Sequence, residues 1–231
     1  MVHDIWLMAS KDLKVEFVSR VVASQIVPFG LLILILFGLG LSPDLVVVGD
    51  ERRSVLEEVA PGLFWIAVLL SALMALGRAF AIEAEDGNLD ALRMAGMDPM
   101  GVFLGKSLAV AAQLLVLEVI LGLGAFVLFG VPLANPVLLV MTALFATVCI
   151  TLAGTLYASL AAGSTSRDTL VPLLVLPVLA PVLLGATLAT RDALFADPGV
   201  LGWSWALLLV VFALLYLGLG MLAFGPILED A

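Results

Sequence analysis

The sequence predicts an all-α integral membrane protein with six transmembrane helices. Hydrophobic residues make up 63% of the 231 residues and charged residues only 13%, and the mean hydropathy is +1.24. A water-soluble domain needs a polar exterior, and this composition leaves too few polar residues to form one. Six apolar runs with almost no charge have the length that crosses the hydrocarbon core of a bilayer. We therefore expect one transmembrane domain, residues 1–231, surrounded by lipid.

Polar stretches between the apolar runs mark where each predicted helix ends and the next begins. Residues 5–20 alternate apolar and charged positions with helical spacing, and Lys11, Lys14 and Arg20 suit anionic headgroups. This pattern predicts a helix that lies in the membrane interface. The six spans that follow are predicted at about 21–41, 61–82, 103–130, 137–161, 170–190 and 203–223.

Local signals refine these spans. Span five contains Pro172, Pro177 and Pro181, each of which removes a backbone hydrogen bond, so we expect that helix to be kinked. Trp65, near the entrance of span two, has a usual position for the aromatic belt at a membrane surface. In the first loop, residues 50–59 are predicted to form a short surface helix.

The polar stretch between spans two and three has the sequence EAEDGNLDALRMAGMDP, residues 83–99. Its early residues, Asp86, Gly87 and Asn88, provide a turn and an N-cap. Leu89 and Leu92 then give one side of a helix a mildly apolar character, and the Asp98-Pro99 pair is typical of a new helix start. We predict a short capped helix over residues 86–96, which suits contact with a soluble partner. A helical loop without any such role is the alternative.

The positive charges predict the orientation. Seven Lys and Arg residues lie near span ends on the side of the N-terminus, and three lie on the opposite side: Lys11, Lys14, Arg20, Arg78, Arg93, Lys106 and Arg167 against Arg52, Arg53 and Arg191. Cytoplasmic loops carry the excess of Lys and Arg. We therefore expect both termini and the segment 86–96 in the cytoplasm, with the chain in the cell's inner (plasma) membrane.

Composition and motifs exclude several kinds of site. With one cysteine and one histidine, the chain has no CxxC or Cys/His cluster for a metal or a covalently attached haem. Cys149 and Met141 are interpreted as packing residues rather than soft ligands. No Walker, HExxH or GxSxG motif is present, so the chain is not expected to be an enzyme or to hydrolyse ATP. A net charge of −9 without a basic face argues against binding to nucleic acid.

Glu118 is the one acid inside span three. A charge near the middle of a bilayer costs about 2.5–3.5 kcal/mol on insertion scales, so this carboxyl group should face protein or water, or be protonated. Because no span offers a basic partner, we favour a carboxyl group satisfied by a neighbouring helix. A proton-transfer or substrate site is the alternative. The Gly-x-Gly pairs, such as Gly122/Gly124, are too closely spaced for a GxxxG motif and are interpreted as points of close helix contact.

Two stretches of the chain contain distinctive motifs. The first has Ala60-Pro61-Gly62 with Trp65, Arg78 with Phe80, Glu85-Asp86-Gly87-Asn88-Leu89 with Leu92, and Gly105-Lys106. The second is LLVLPVLAPVLLGA, residues 173–186. Both resemble the CcmB family, the haem exporter permeases of cytochrome c maturation, in which these residues are characteristic. The chain departs from the family at Gly77, where members usually have an acid, and at residues 164–169, where they have a basic, glycine-rich loop.

The resemblance implies an ABC-2-like exporter permease. Two copies would pair with two cytoplasmic ABC ATPase subunits, and would work beside a haem-handling membrane subunit and a haem chaperone. Haem would be a cargo, and the ATP-driven step would be its export or the release of the loaded chaperone. The helix 86–96 would be the coupling helix, in which Asp86 and Gly87 set its entry angle and Leu89 and Leu92 are apolar contacts with the ATPase. Its contacting residues would be Glu85, Asp86, Gly87, Asn88, Leu89 and Leu92.

Other functions remain open at this point. The same architecture suits an ABC-2-type exporter of drugs, lipids or polysaccharides. A stand-alone transporter would show intramembrane charges or inverted repeats, and neither is evident in the sequence. A membrane scaffold, in contrast to a permease, would keep its function when the partner ATPase is inactive.

Overall fold

The computed structural model describes residues 1–41, 45–48, 51–85, 97–162, 167–196 and 201–230. Within these residues seven α-helices form, and the predicted fold class is confirmed. In chain order they are α1 (Val2–Ser19), α2 (Val27–Gly40), α3 (Val55–Glu85), α4 (Pro99–Phe129), α5 (Pro136–Ala162), α6 (Arg167–Phe195) and α7 (Gly202–Asp230). Six helical segments are long and apolar enough to cross a membrane: the last five of these helices, and Val22–Gly40, which joins α2 to the π-helical turn before it.

A turn of π-helix, Val22–Ile26, connects α1 to α2. It lies directly before Pro28, and the backbone N–H of Val27 donates to the carbonyl of Val22. A proline ring clashes with the carbonyl four residues earlier in a regular α-helix, and a wider turn gives that carbonyl room. At the same junction, Glu16 Oε1 accepts a 2.6 Å hydrogen bond from the Val22 N–H. The proline therefore shapes the start of the first apolar helix without ending it.

The loop between α2 and α3 differs from the prediction. Two antiparallel strands, β1 (Leu45–Val48) and β2 (Glu51–Ser54), form a hairpin. A surface helix was expected over residues 50–59; residues 51–54 form β2 instead, and residues 55–59 are helical but belong to α3. The β-branched run of β1 favours a strand and has β2 to pair with. Helix α3 then begins at Val55, because Ser54 and Glu57 form a capping box. The Ser54 N–H donates to Glu57 Oε2 at 3.0 Å, and the Glu57 N–H donates to Ser54 Oγ at 3.1 Å.

The helices pack through small residues. Helix α5 contacts α3, α4, α6 and α7. Its Gly154 leaves room for the side chain of Leu76 in α3, which occupies the place of a Cβ atom. Gly220 of α7 makes room for the Phe103 ring of α4 in the same way. Lipid tails are as apolar as leucine, so close van der Waals contact rather than the hydrophobic effect holds such helices together.

Helix α6 runs from Arg167 to Phe195 as one α-helix that contains Pro172, Pro177 and Pro181. The kinks expected at these prolines stay a prediction. Pro177 and Pro181 lie on the exposed side of the helix, whereas Val175 and Leu179 are fully buried on the other side. These two prolines therefore lie away from the face on which α6 packs into the bundle.

Helix α1 lies against α4 over two glycines whose role was not predicted from the sequence. A Cβ atom at Gly101 would lie 2.8 Å from Asp4 Cβ, and one at Gly105 would lie 2.7 Å from Met8 Cβ. Gly101 and Gly105 are four residues apart and so form a GxxxG surface, whereas close helix contact was expected only at the Gly-x-Gly pairs. The amphipathic helix expected at residues 5–20 is thus present as α1, with Met8 and Ala9 buried against the bundle.

We expect Gly105→Ala to weaken the contact between α1 and α4, because the added methyl group overlaps Met8 and the Ile5 carbonyl. Overpacking of this kind costs about 1–3 kcal/mol. The thermal midpoint of the purified protein in detergent should fall. Gly77→Ala is the matched control, since nothing lies within 4 Å of a Cβ atom there, and helix propensity alone predicts an equal or higher midpoint. Equal midpoints for the two variants would contradict the proposed close contact.

Candidate functional site

The segment predicted to contact an ATPase is bounded by the two longest helices. Asp86, Gly87, Asn88, Leu89 and Leu92 lie outside the described residues, so the helix over 86–96 stays a prediction. Glu85 is the last residue of α3. On the other side, Asp98 caps α4 as expected: its Oδ1 accepts a 3.1 Å hydrogen bond from the Met100 N–H, and Pro99 is the first helical residue.

Lys106 joins three helices beside this segment. Its Nζ donates to the backbone carbonyl of Ala79 in α3 at 2.9 Å and to Asp12 Oδ2 in α1 at 3.3 Å. The side chain is only 1% exposed, so both contacts are largely shielded from solvent. A buried ammonium group needs such partners, because its desolvation is costly. We call Lys106, Asp12 and the Ala79 carbonyl the α1 anchor.

A small cavity of about 40 Å³ adjoins the α1 anchor. Arg78 of α3, Gln113 of α4 and Glu16 of α1 contribute to its wall. Its size corresponds to roughly one or two water molecules. Arg78 therefore borders the same cavity as Asp12 and Ala79, the two partners of Lys106, where α1, α3 and α4 meet.

Glu118 lies deeper in α4 and is buried. Its Oε1 accepts a 2.5 Å hydrogen bond from the Thr147 hydroxyl group of α5. A neighbouring helix thus provides one partner, as the favoured interpretation of the sequence required. The other carboxyl oxygen, Oε2, has no hydrogen-bond partner among the residues that the structure describes. The carboxyl group is therefore only half satisfied, and a functional role for it stays a prediction.

Glu118 borders an apolar cleft of about 390 Å³, which we call the lateral cleft. Its walls are the first part of α3 from Ala60 to Trp65, the second half of α4, the first part of α5 and the end of α6. Almost all of the lining is hydrocarbon, and the Glu118 carboxyl group is the one ionisable group among its lining residues. The volume is within the range of sites for small molecules.

Trp65 forms the floor of the lateral cleft rather than part of an aromatic belt. Its side chain is 1% exposed, and its indole N–H donates to Thr190 Oγ1 at 2.9 Å. The expected belt position is wrong because the Trp65 side chain faces α6 inside the bundle, where Thr190 accepts its hydrogen bond, instead of facing the membrane surface. Nearby, Arg191 of α6 forms a 2.7 Å ion pair with Glu58 of α3. These contacts connect the same ends of α3 and α6.

Cys149 is a packing residue in the centre of the bundle. It is fully buried, and its Sγ donates to the Leu209 carbonyl of α7 at 3.2 Å. Across the described ranges, no group of three or more His, Cys, Asp and Glu side chains has a metal-binding arrangement. Two features of the described residues therefore remain as candidates for function. One is the Glu118 carboxyl group beside the lateral cleft, with a hydrogen bond to one of its two oxygens, and the other is the α1 anchor between α1, α3 and α4.

Comparisons with known proteins give a consistent result. A sequence model described as "CcmB protein" matches residues 3–229. "Heme exporter protein B" of Paracoccus denitrificans is 37% identical over 174 residues, which cover 70% of this chain and 78% of that protein. The protein of the same name from Rhodobacter capsulatus is 34% identical over 167 residues, covering 68% and 75%. That of Pseudomonas aeruginosa is 27% identical over 191 residues, covering 78% and 81%.

We expect Lys106→Met to loosen α1 from the bundle, because Asp12 and the Ala79 carbonyl lose their shared donor. Loss of buried hydrogen bonds to a charged group costs about 1.5–3 kcal/mol. Trypsin should then cleave after Lys11 and Lys14 about tenfold faster or more, since cleavage of a helix requires its local opening.

The Asp12 contact can be measured separately by a double-mutant cycle. Asp12→Asn removes the charge on the partner side, so the cleavage rate of the double variant Lys106→Met/Asp12→Asn should rise by less than the product of the two single-variant factors. A rise equal to that product would show that the two side chains are not coupled.

Proposed function

The chain belongs to the CcmB family, and from this membership we propose that it is the membrane permease subunit of an ABC transporter for cytochrome c maturation. The match over residues 3–229 is the observation that carries the proposal. Relatives with the printed name "Heme exporter protein B" support haem as the transported molecule. Haem is then a cargo rather than a covalently held cofactor, and ATP is hydrolysed by a partner protein. The permease itself is not an enzyme.

The proposed assembly contains two copies of this chain and two cytoplasmic ATPase subunits. It lies in the inner membrane with both termini in the cytoplasm, beside a haem-handling membrane subunit and a haem chaperone. ATP hydrolysis drives either export of haem or release of the haem-loaded chaperone, and the permease changes conformation in both cases. The excess of Lys and Arg on the side of the N-terminus supports this orientation.

A mechanical argument assigns the ATPase contact to residues 86–96. A soluble motor moves membrane helices only through a segment that is firmly connected to them. This segment joins the end of α3 at Glu85 to the start of α4 at Pro99. The contact of Lys106 with the Ala79 carbonyl fastens α3 and α4 to each other just beyond it. A displacement at residues 86–96 would therefore move both helices together, and the contact with Asp12 would carry α1 along.

We expect Leu92→Asp to weaken association with the ATPase subunit about tenfold or more, because a charge replaces an apolar contact residue at the centre of a small interface. ATPase activity stimulated by the permease should fall toward the basal rate, while membrane insertion is unchanged. The measurement is co-purification in mild detergent together with the hydrolysis rate.

The matched control is Leu133→Asp, which makes the same change in an exposed side chain of the loop between α4 and α5. That loop is expected on the opposite side of the membrane, so association should be normal. Unchanged co-purification and hydrolysis in Leu92→Asp would contradict the assignment of the coupling segment. Failure of the wild-type chain to co-purify with any ABC ATPase would contradict the permease function itself.

The orientation has an independent test. In a Cys149→Ala background, single cysteines at positions 92 and 133 are treated with a membrane-impermeant maleimide on intact spheroplasts. We expect labelling at position 133 and none at position 92 until the membrane is opened. The reverse result would place the predicted coupling segment outside the cell and would exclude contact with a cytoplasmic ATPase.

A further inference from the structure

The small cavity beside the α1 anchor lies at the boundary of the membrane. One of its walls is α1, the helix predicted to lie in the interface, and Val22, where the first span begins, is also part of its lining. Lys11 and Val15 of α1 are exposed at its rim, so the cavity is open to the outside of the bundle. Because an interfacial helix lies at the level of the lipid headgroups, we expect the cavity to open there.

Three polar side chains in the wall of this cavity have hydrogen-bonding atoms that no described residue uses. Arg78 of α3 and Gln113 of α4 make no side-chain hydrogen bond or ion pair with any residue that the structure describes. Glu16 of α1 accepts the Val22 N–H with Oε1, and its Oε2 has no partner in the same described ranges. In contrast to Glu118 Oε2, none of these atoms is sealed inside the protein. They are therefore available to a molecule that enters from the membrane.

The other charged groups at the cavity already have partners. Asp12 lies between two ammonium groups, with Oδ1 3.3 Å from Lys11 Nζ and Oδ2 3.3 Å from Lys106 Nζ. The lining residues that remain are one positive group, Arg78, and one negative group, Glu16. A ligand that matches both has an anionic and a cationic group close together, and it needs no net charge.

The size of the cavity restricts the ligand to the polar end of a larger molecule. Its volume of about 40 Å³ has room for one or two water-sized groups, which suits the two non-bridging oxygens of a phosphodiester. A guanidinium group such as that of Arg78 binds phosphate oxygens through paired N–H···O hydrogen bonds, and the Gln113 amide can donate another. A primary ammonium group in the same headgroup donates to the Glu16 carboxylate, whereas a quaternary ammonium group has no N–H to donate.

We propose that this cavity binds the headgroup of an aminophospholipid, phosphatidylethanolamine, in the leaflet on the side of the N-terminus. Its phosphate group lies on Arg78 and Gln113, its ammonium group lies on Glu16, and its acyl chains extend past Val15 into the bilayer. The lipid thus joins α1, α3 and α4 where the α1 anchor also joins them. This inference goes beyond the transport function and does not depend on it, because binding requires neither ATP nor the partner subunits.

The test measures lipid binding to the delipidated full-length chain in detergent by native mass spectrometry. The probes are dimyristoyl forms of phosphatidylethanolamine, phosphatidylcholine, phosphatidylglycerol and diacylglycerol, which share the same acyl chains. We expect one phosphatidylethanolamine to bind with a Kd about tenfold lower than that of phosphatidylcholine, because loss of a hydrogen bond to a charged group has an effect of this size. Diacylglycerol, which lacks the phosphate group, should bind more weakly than either.

Other results of the same measurement would overturn the proposal. Equal affinities for all the lipids would show ordinary contact of acyl chains with the apolar surface. Tighter binding of phosphatidylglycerol than of phosphatidylethanolamine would show general attraction of basic residues for anionic lipid. Displacement of bound phosphatidylethanolamine by an equal concentration of inorganic phosphate would show a site for a free anion rather than for a lipid.

Two variants test the two halves of the headgroup. Arg78→Gln removes the partner of the phosphate group without removing a described contact within the protein, so the affinity for phosphatidylethanolamine should fall about tenfold or more. Glu16→Gln keeps an oxygen that can accept the Val22 N–H but removes the charge. Its affinities for phosphatidylethanolamine and phosphatidylcholine should therefore become equal.

Lys14→Gln is the matched control, because Lys14 is an exposed basic residue of α1 that does not line the cavity. Its lipid affinities should equal those of the wild type. Undiminished binding of phosphatidylethanolamine in Arg78→Gln would refute the site, and so would equal losses in Arg78→Gln and Lys14→Gln. Glu16→Gln remains informative if Arg78→Gln does not fold, since a preference for phosphatidylethanolamine that persists in it would contradict the role of Glu16.

Discussion

A hydrocarbon environment offers no hydrogen bonds, so polar side chains in the membrane need partners within the protein. Most polar side chains of the bundle are found where such a partner exists. Thr151 and Ser159 donate to carbonyl groups one turn earlier in their own helix, α5. The indole N–H of Trp65 donates to the Thr190 hydroxyl group, and the hydroxyl group of Tyr216 donates to the Val178 carbonyl. Two ion pairs lie at opposite sides of the bundle, Glu58 with Arg191 on one side and Lys106 with Asp12 on the other. Hydrogen bonds between neutral groups, such as that from Tyr216 to the Val178 carbonyl, connect helices between these two sides.

The two ends of α3 are joined to different helices, because the polar residues at each end find partners on different neighbours. At its start, α3 is joined to α6 by Trp65–Thr190 and Glu58–Arg191. At its end, it is joined to α4 and α1 through Lys106. A permease driven from residues 86–96 would receive force at the end that is fastened to α1 and α4. The contacts with α6 lie at the far end of the same helix, where they would resist or transmit its movement.

Glu118 departs from the rule that buried polar groups are satisfied. The hydroxyl groups of Ser71, Ser107, Thr142 and Thr155 are also buried without a partner among the described residues. A carboxyl group differs from them because, when ionised, it costs far more to bury than a hydroxyl group does. It is also the one such group that borders a cleft large enough for a ligand. Retention of an acid in this position is physically reasonable if something completes its hydrogen bonds.

Most of the architecture followed from the sequence. Six apolar runs separated by polar residues are sufficient for six spans, because the cost of burying charge and the length of a helix across a bilayer are local properties. The Asp98-Pro99 start of α4 was likewise predictable, since capping depends on neighbouring residues alone. The true start of α3 was missed although its signal, the Ser54/Glu57 capping box, was present in the sequence.

By itself, the sequence determined that this chain is a helical membrane protein and which residues interrupt its spans. Only the tertiary structure decided which polar residues meet. Lys106 and Asp12 are 94 residues apart and Trp65 and Thr190 are 125 residues apart, so no local pattern links them. The lateral cleft exists for the same reason, because its walls come from four helices and a void depends on how side chains from distant parts of the chain fit together.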